Sequence, residues 1–205
     1  MEEKISDIAQ WLGTGSINIF GRPFSGKDTQ GKTLSEIFHA PLIGGGDILR
    51  SHHEPKKIEE YLASGGIIPS EYYLKLIVPY LSQENIQNNP LILSSVGRSH
   101  GEEAIILKAC KQSGHAVKAV INLEISEKQV WQRFKLSEKL GDRGHRSDDQ
   151  ADALRERLYK FKQKTAPVLK YYKKAGLLIN VDGQLSRQEV TEEIIEKLFH
   201  FSQKN

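Results

Sequence analysis

The sequence predicts an α/β fold, a parallel sheet flanked by helices on both faces. Two observations carry this. Short β-rich runs alternate with longer helical patterns along almost the whole chain, and parallel strands need crossovers of that length. The first such run leads directly into a glycine-rich stretch, and a helical pattern follows without a break.

The first 13 residues place Ile5, Ile8, Trp11 and Leu12 on one helical face and stop at Gly13. SINIF, residues 16–20, reads as a strand, and TQGKTLSEIFHA behind the glycine loop has Leu34, Ile37 and Phe38 at helical spacing. Further strands are expected in PLILSS (90–95), AVKAVINLEI (116–125) and GLLINVDG (176–183). Helices are expected in SEYYLKLIVPYLSQE, GEEAIILKACKQSG and SEKQVWQRFKLSEKL, from Asp148 to about Lys174, and from Ser186 to Phe201. Ligands bind such sheets beyond the carboxyl ends of the strands. Residues 21–27, 94–98 and 182–185 all fall on that rim.

At 205 residues the chain suits one domain, with no internal repeat or low-complexity segment. A net charge of +3, from 29 basic and 26 acidic residues mixed along the chain, is too weak to indicate a nucleic-acid partner. An anionic small molecule suits it equally well. Cys110 is the only cysteine, which excludes an intramolecular disulfide or a cysteine-based zinc cluster, and its apolar helical setting points to a buried, inert thiol. The N-terminus lacks the basic and apolar blocks of a secretory signal, and no run of about 18 apolar residues occurs. A cytoplasmic monomer with no membrane or nucleic-acid partner is the expectation.

The chemistry begins at GRPFSGKDTQ, residues 21–30. Gly21, Gly26 and Lys27 stand at the G-x-x-x-x-G-K spacing of a phosphate-binding loop, or P-loop, between a strand and a helix as that motif requires. Its glycines let backbone N–H groups wrap a phosphate, and the helix behind it adds its positive end. Lys27 would reach terminal phosphates, and Thr29 offers a hydroxyl to Mg²⁺. IGGGDILR sets Asp47 and Arg50 three apart on one helix face, which is equally an anion site or a local ion pair. Arg98 lies just past an apolar strand, at the rim, where anion binding is favoured over a solvated surface role. Arg133, Arg143, Arg146, Arg155 and Arg157 add positive charge around the same loop. Phosphoryl transfer needs that, because its catalysis is mostly positioning and charge neutralisation.

In this order, from about Ser16 to about Phe199, these segments resemble the adenylate kinase branch of the nucleoside monophosphate kinases. GRPFSGKDTQ is similar to the family's G-x-P-G-S-G-K-G-T-Q, with Pro23, Ser25, Gly26, Lys27, Thr29 and Gln30 in place. GGGDILR resembles S-T-G-D-x-L-R, GGIIPSE resembles G-x-L-V-P-D-E, and SSVGRSHGE keeps Arg98 of D-G-F-P-R-T-x-x-Q. RSDD, RERL and TAPVLKYY resemble the closing motifs.

The resemblance implies a single domain, 1–205, with a P-loop NTPase-type sheet, an acceptor-binding helical insert at about 44–86 and a short lid at about 135–147 that carries no zinc. It implies transfer of the terminal phosphate of Mg·ATP to a nucleoside monophosphate. The P-loop residues Gly21, Pro23, Ser25, Gly26, Lys27, Asp28 and Thr29 would hold the donor. Arg133, Arg146 and Arg157 would clamp its phosphates, and Gly183 and Leu185 would lie against its base. Arg50 and Arg98 would hold the acceptor phosphate, with Gly45, Gly46, Asp47, Ile68 and Glu102 around the acceptor.

Departures are as informative as matches. Phe24 and Asp28 replace loop glycines, Gly45 replaces a threonine, and the lid lacks one arginine near Leu140, for which Arg143 is the candidate substitute. Ser94 replaces the acid that orders water on Mg²⁺. Either Asp28, with Asp47, takes over that role, or Asp28 faces solvent and only favours the helix N-terminus. Glu102 replaces the glutamine that reads the acceptor base. An ionised glutamate only accepts hydrogen bonds, which leaves GMP or CMP open beside AMP. The alternative to an enzyme is a degenerate module that binds nucleotide for sensing or regulation.

Overall fold

The computed structural model describes residues 1–45, 48, 70–140 and 151–204. Among these, five strands form one parallel sheet: β1 (Ser16–Gly21), β2 (Leu42–Gly44), β3 (Leu91–Ser94), β4 (Val117–Glu124) and β5 (Leu178–Asp182), in the order β2-β3-β1-β4-β5. Every neighbouring pair is parallel. The central strand β1 is buried at all its positions.

The α-helices among the described residues, in chain order, are α1 (Glu2–Leu12), α2 (Lys27–Ile37), α3 (Ser70–Leu81), α4 (Glu103–Gln112), α5 (Glu127–Leu140), α6 (Ala151–Lys160), α7 (Ala166–Lys174) and α8 (Arg187–Ser202). Two apolar layers sandwich the sheet. Ile17, Ile19 and Ile121 pack with Ile8, Leu34 and Ile194 of α1, α2 and α8. Phe20, Leu91 and Val120 face Ile77, Ile106 and Tyr172 of α3, α4 and α7. Both faces are thus covered, as a parallel sheet requires. Cys110 is fully buried in the second layer, and burial pushes its thiol pKa up to about 12, so it behaves as a small apolar side chain.

The structure adds two elements to the sequence reading. β2 is an edge strand inside a segment that reads only as a glycine-rich approach to a helix. The pattern expected as one helix up to Lys174 is divided by a π-helix, Phe161–Thr165, between α6 and α7. Residues 148–150, where that helix was expected to begin, lie outside the described residues.

The chain runs from β1 outward to β2, returns through β3 and continues beyond β1 to β4 and β5. The order therefore reverses beside β1, the position where such sheets bind ligands. A buried amide fixes the rim there. Asn18, with no exposed surface, donates from Nδ2 to the Val96 carbonyl at 2.8 Å and accepts from the Val96 N–H at 3.3 Å. Ser95 N–H, in the same turn, donates to the Ile19 carbonyl at 3.0 Å. The turn after β3 is thereby latched to β1. At the other edge, Gln30 donates to the Arg187 carbonyl at 2.9 Å and accepts from Thr191 Oγ1 at 2.8 Å, which fastens α2 to α8.

Replacing Asn18 by Ala leaves a buried N–H and a buried carbonyl without their partner. The expected loss is about 2 kcal/mol, seen as a lower urea midpoint with an unchanged m-value.

Candidate active site

The phosphate loop leaves β1 at Gly21 and enters α2 at Lys27. Gly26 is the N-cap of α2 with φ 90°, a left-handed conformation that glycine takes without strain. No side chain caps the helix, so its first N–H groups are open to an anion rather than to the protein. Gly21 has no room for a side chain, because a Cβ there would lie 2.3 Å from Ser25 Oγ. That hydroxyl is buried and makes no hydrogen bond. A buried polar atom left unpaired is costly, and its position inside a loop of this shape suits a ligand phosphate. Residues 22–29 line a small pocket together with Arg157 of α6, remote in sequence but packed beside the loop.

Lys27 Nζ and Asp28 Oδ1 are 2.5 Å apart, and Ser94 Oγ, at the end of β3, lies 3.3 Å from the same carboxylate oxygen. Two of the positions that depart from the resemblance, Asp28 in the loop and Ser94 on β3, therefore touch. The Asp28 side chain is 64% exposed, so its pair with Lys27 is worth only about 0–1 kcal/mol and yields readily to a phosphate.

Phe24 adopts φ 62°, a region that costs a residue with a Cβ about 1–2 kcal/mol. Its ring is buried and meets Phe134 of α5 edge to face, with centroids 5.7 Å apart. Beside Phe134, Arg133 donates from Nη1 to the Phe24 carbonyl at 3.1 Å and from Nη2 to the Gly183 carbonyl at 2.7 Å. Burial lowers its pKa and Asp182 pulls it back up, and an arginine in this setting stays charged. Two of its donors are thus spent on joining the loop to the turn after β5. In that turn Gly183 N–H donates to the Glu124 carbonyl at 2.9 Å, and Leu185 is 40% exposed.

On the β3 side, Arg98 is exposed beyond the latched turn. A Cβ at Gly45 would lie 3.5 Å from the Ser95 carbonyl, an ordinary contact, so β2 ends against the same turn. Glu102 is buried, and its Oε2 accepts from the Ser99 N–H at 3.1 Å. Burial raises its pKa, opposed by that hydrogen bond and by Arg98. Gly46, Asp47, Arg50, Ile68, Arg143 and Arg146 lie outside the described residues. The structure thus brings Gly21, Pro23, Ser25, Gly26, Lys27, Asp28, Thr29 and Arg157 together, ties Gly183 to them through Arg133, and places Arg98, Glu102 and Gly45 at the neighbouring turn.

Sequence reasoning gave no role to Arg22. It donates to the Ile125 carbonyl and stacks over Phe161 at 5.7 Å, bracing the start of the loop. It also missed Asn18, although an amide inside an apolar strand signals a buried partner.

A glycine-framed loop opening α2 at the reversal point of a parallel sheet, with Lys27 and Arg157 on one pocket, defines a P-loop phosphate-binding protein. Comparison with known proteins narrows this. The adenylate kinase family model matches residues 19–177. An adenylate kinase of Azobacteroides pseudotrichonymphae is 30% identical over 89% of this chain and 96% of its own length. Adenylate kinase 1 of a Nostoc species is 31% identical over 85% and 93%. The adenylate kinase of Caldicellulosiruptor bescii is 26% identical over 88% and 97%. The chain belongs to the adenylate kinase family, and is a nucleoside monophosphate kinase, a transferase.

The raised pKa of Glu102 has a consequence for stability. Its folded form holds the proton more tightly than the unfolded chain does. This residue's contribution therefore falls as pH rises from the ordinary carboxylate value of 4.5 through the raised one, and stays lower above it. Glu102→Gln removes that dependence. Urea unfolding across this range should show the variant gaining stability relative to wild type as pH rises.

Proposed function

We propose that the chain transfers the terminal phosphate of Mg·ATP to AMP, directly and in line. The observation that carries this reading is the unpaired Ser25 hydroxyl, buried in a loop pocket shared by Lys27, Thr29 and Arg157. The donor phosphates would occupy that pocket, with the loop backbone and the open start of α2 around them. They would take Lys27 from Asp28. Lys27 and Arg157 then neutralise charge on the transferring group, with Arg146 from the lid. Gly183 and Leu185 place backbone against the donor base, and Arg133 holds both donor-side segments in register. Arg50 and Arg98 would hold the acceptor phosphate, with Gly45, Gly46, Asp47 and Ile68 around its base. The insert at about 44–86 and the short lid at about 135–147 would close over the nucleotides and exclude water.

Mg²⁺ fits the donor set near Lys27, which is oxygen-only and partly carboxylate, as a hard cation requires. The Thr29 hydroxyl would bind it, and Asp28, with Asp47, would hold its water. When bound, it supplies positive charge to the phosphates. The 3.3 Å contact of Ser94 with Asp28 supports reading Asp28 as the replacement for the acid absent from position 94. Asp28→Gly should then lower Mg²⁺-dependent turnover about tenfold, a change of ~1.4 kcal/mol, and weaken Mn²⁺ binding to the nucleotide complex. Adding Ser94→Asp should restore both. Unchanged turnover and Mn²⁺ affinity in Asp28→Gly would remove this role.

Glu102 supports a second reading of the acceptor. Ionised, it only accepts, which suits the donor edges of guanine or the cytosine amino group. Protonated, it also donates, as adenine's edge requires, and its raised pKa makes that form more accessible. A coupled assay with AMP, GMP, CMP and UMP and Mg·ATP decides. Fastest turnover of AMP is expected. Preference for GMP or CMP, reversed by Glu102→Gln, would establish the second reading. Tight nucleotide binding with no turnover of any acceptor would make the chain a binding module.

A further inference from the structure

Phe24 is held by both its backbone and its side chain. Its carbonyl accepts from Arg133 on α5 at 3.1 Å. Its ring, 7% exposed, belongs to a cluster with Ile125 just after β4, Val130 and Phe134 on α5, and Leu154 and Leu158 on α6. This cluster is separate from the two layers that cover the sheet. It joins the phosphate loop to the two helices that carry Arg133 and Arg157. Glycine at position 24 would take φ 62° without strain, so the left-handed turn does not require Phe. What Phe adds is an apolar seat that fixes the strained turn against α5 and α6.

We propose that Phe24 is a positioning residue for the donor nucleotide. Its ring, seated against Phe134 and Leu158, holds the phosphate loop in its anion-binding shape and sets the distance from the loop to Arg157. Donor affinity then depends on the apolar packing of the Phe24 ring against α5 and α6, while acceptor affinity does not. The inference rests on reading this loop as the donor site, so it is tested by binding rather than by turnover.

Calorimetry with a non-hydrolysable ATP analogue and, separately, with AMP would be run on wild type, Phe24→Gly, Phe24→Leu, Phe134→Leu and the double variant Phe24→Gly/Phe134→Leu. Circular dichroism would confirm folding. Phe24→Gly is expected to weaken the analogue roughly three- to tenfold, the scale of one lost aromatic contact, and to leave AMP unchanged. Phe24→Leu keeps an apolar group in the seat and should lose less. Phe134→Leu should weaken the analogue about twofold in wild type and add nothing once Phe24 is gone.

Wild-type affinity in Phe24→Gly would overturn the proposal. So would equal weakening of both ligands, or the same cost of Phe134→Leu with and without Phe24. Where Phe24→Gly does not fold, the donor-against-acceptor split in Phe24→Leu decides. A wild type that binds the analogue but transfers no phosphate refutes the kinase reading and leaves this one standing. A wild type that does not bind the analogue refutes both.

Discussion

Two hydrogen bonds from one guanidinium hold together the two segments proposed to bind the donor. Arg133 bonds the carbonyls of Phe24 and Gly183, and so spans the loop after β1 and the turn after β5 from a third element, α5. β4 lies between those strands in the sheet, so the segments cannot reach each other through the β ladder. A planar cation that is always charged, with its donors in a fixed fork, suits that bridge, and a lysine would hold one carbonyl less rigidly. Around it, Gly26 opens α2 to an anion, Arg22 braces the loop's first turn, and the Phe24 ring seats its middle. The loop is braced by the contacts that Arg22 and Phe24 make with Ile125, Phe161 and Phe134.

The turn proposed to hold the acceptor uses a different device. The turn from Ser95 to Arg98 carries no regular structure, and it is fixed by the Asn18 amide and by the Ile19 carbonyl, both on β1. The strand that launches the phosphate loop therefore also anchors the turn that presents Arg98. The proposed donor and acceptor segments thus share one buried strand as their common reference. Placing two phosphates to within fractions of an ångström is what catalysis by orientation demands.

Much of this was legible in the sequence, and the exceptions have physical causes. Four strands, the loop and most helices declared themselves through β-rich runs, glycine spacing and helical periodicity. β2 did not, because three residues running into glycines carry too little pattern. The π-helix did not, because one extra residue per turn leaves the buried positions Leu158 and Thr165 close to helical spacing. Phe24 stood out as a departure, but its partner Phe134 is remote in sequence and periodicity does not pair such positions. Asp28 and Ser94 were suggestive together because one gained polar oxygens where the other lost them, and the structure sets them 3.3 Å apart. Arg133 was expected at the phosphates. Sequence shows a cation near the rim; the structure adds that two of its five donors bond backbone carbonyls, which bears on neither side of that expectation.

The pair formed by Lys27 and Asp28 gives the loop its own counterion. Donor binding at such a loop is an exchange of one anion for another, not the capture of an anion by a bare cation. Part of the long-range attraction that would draw a triphosphate in is cancelled before encounter. Since mobile ions screen only the uncancelled charge, donor association here should depend less steeply on ionic strength than at a loop with glycine beside its lysine. The carboxylate thus makes the site less sensitive to its ionic surroundings at some cost in speed of capture.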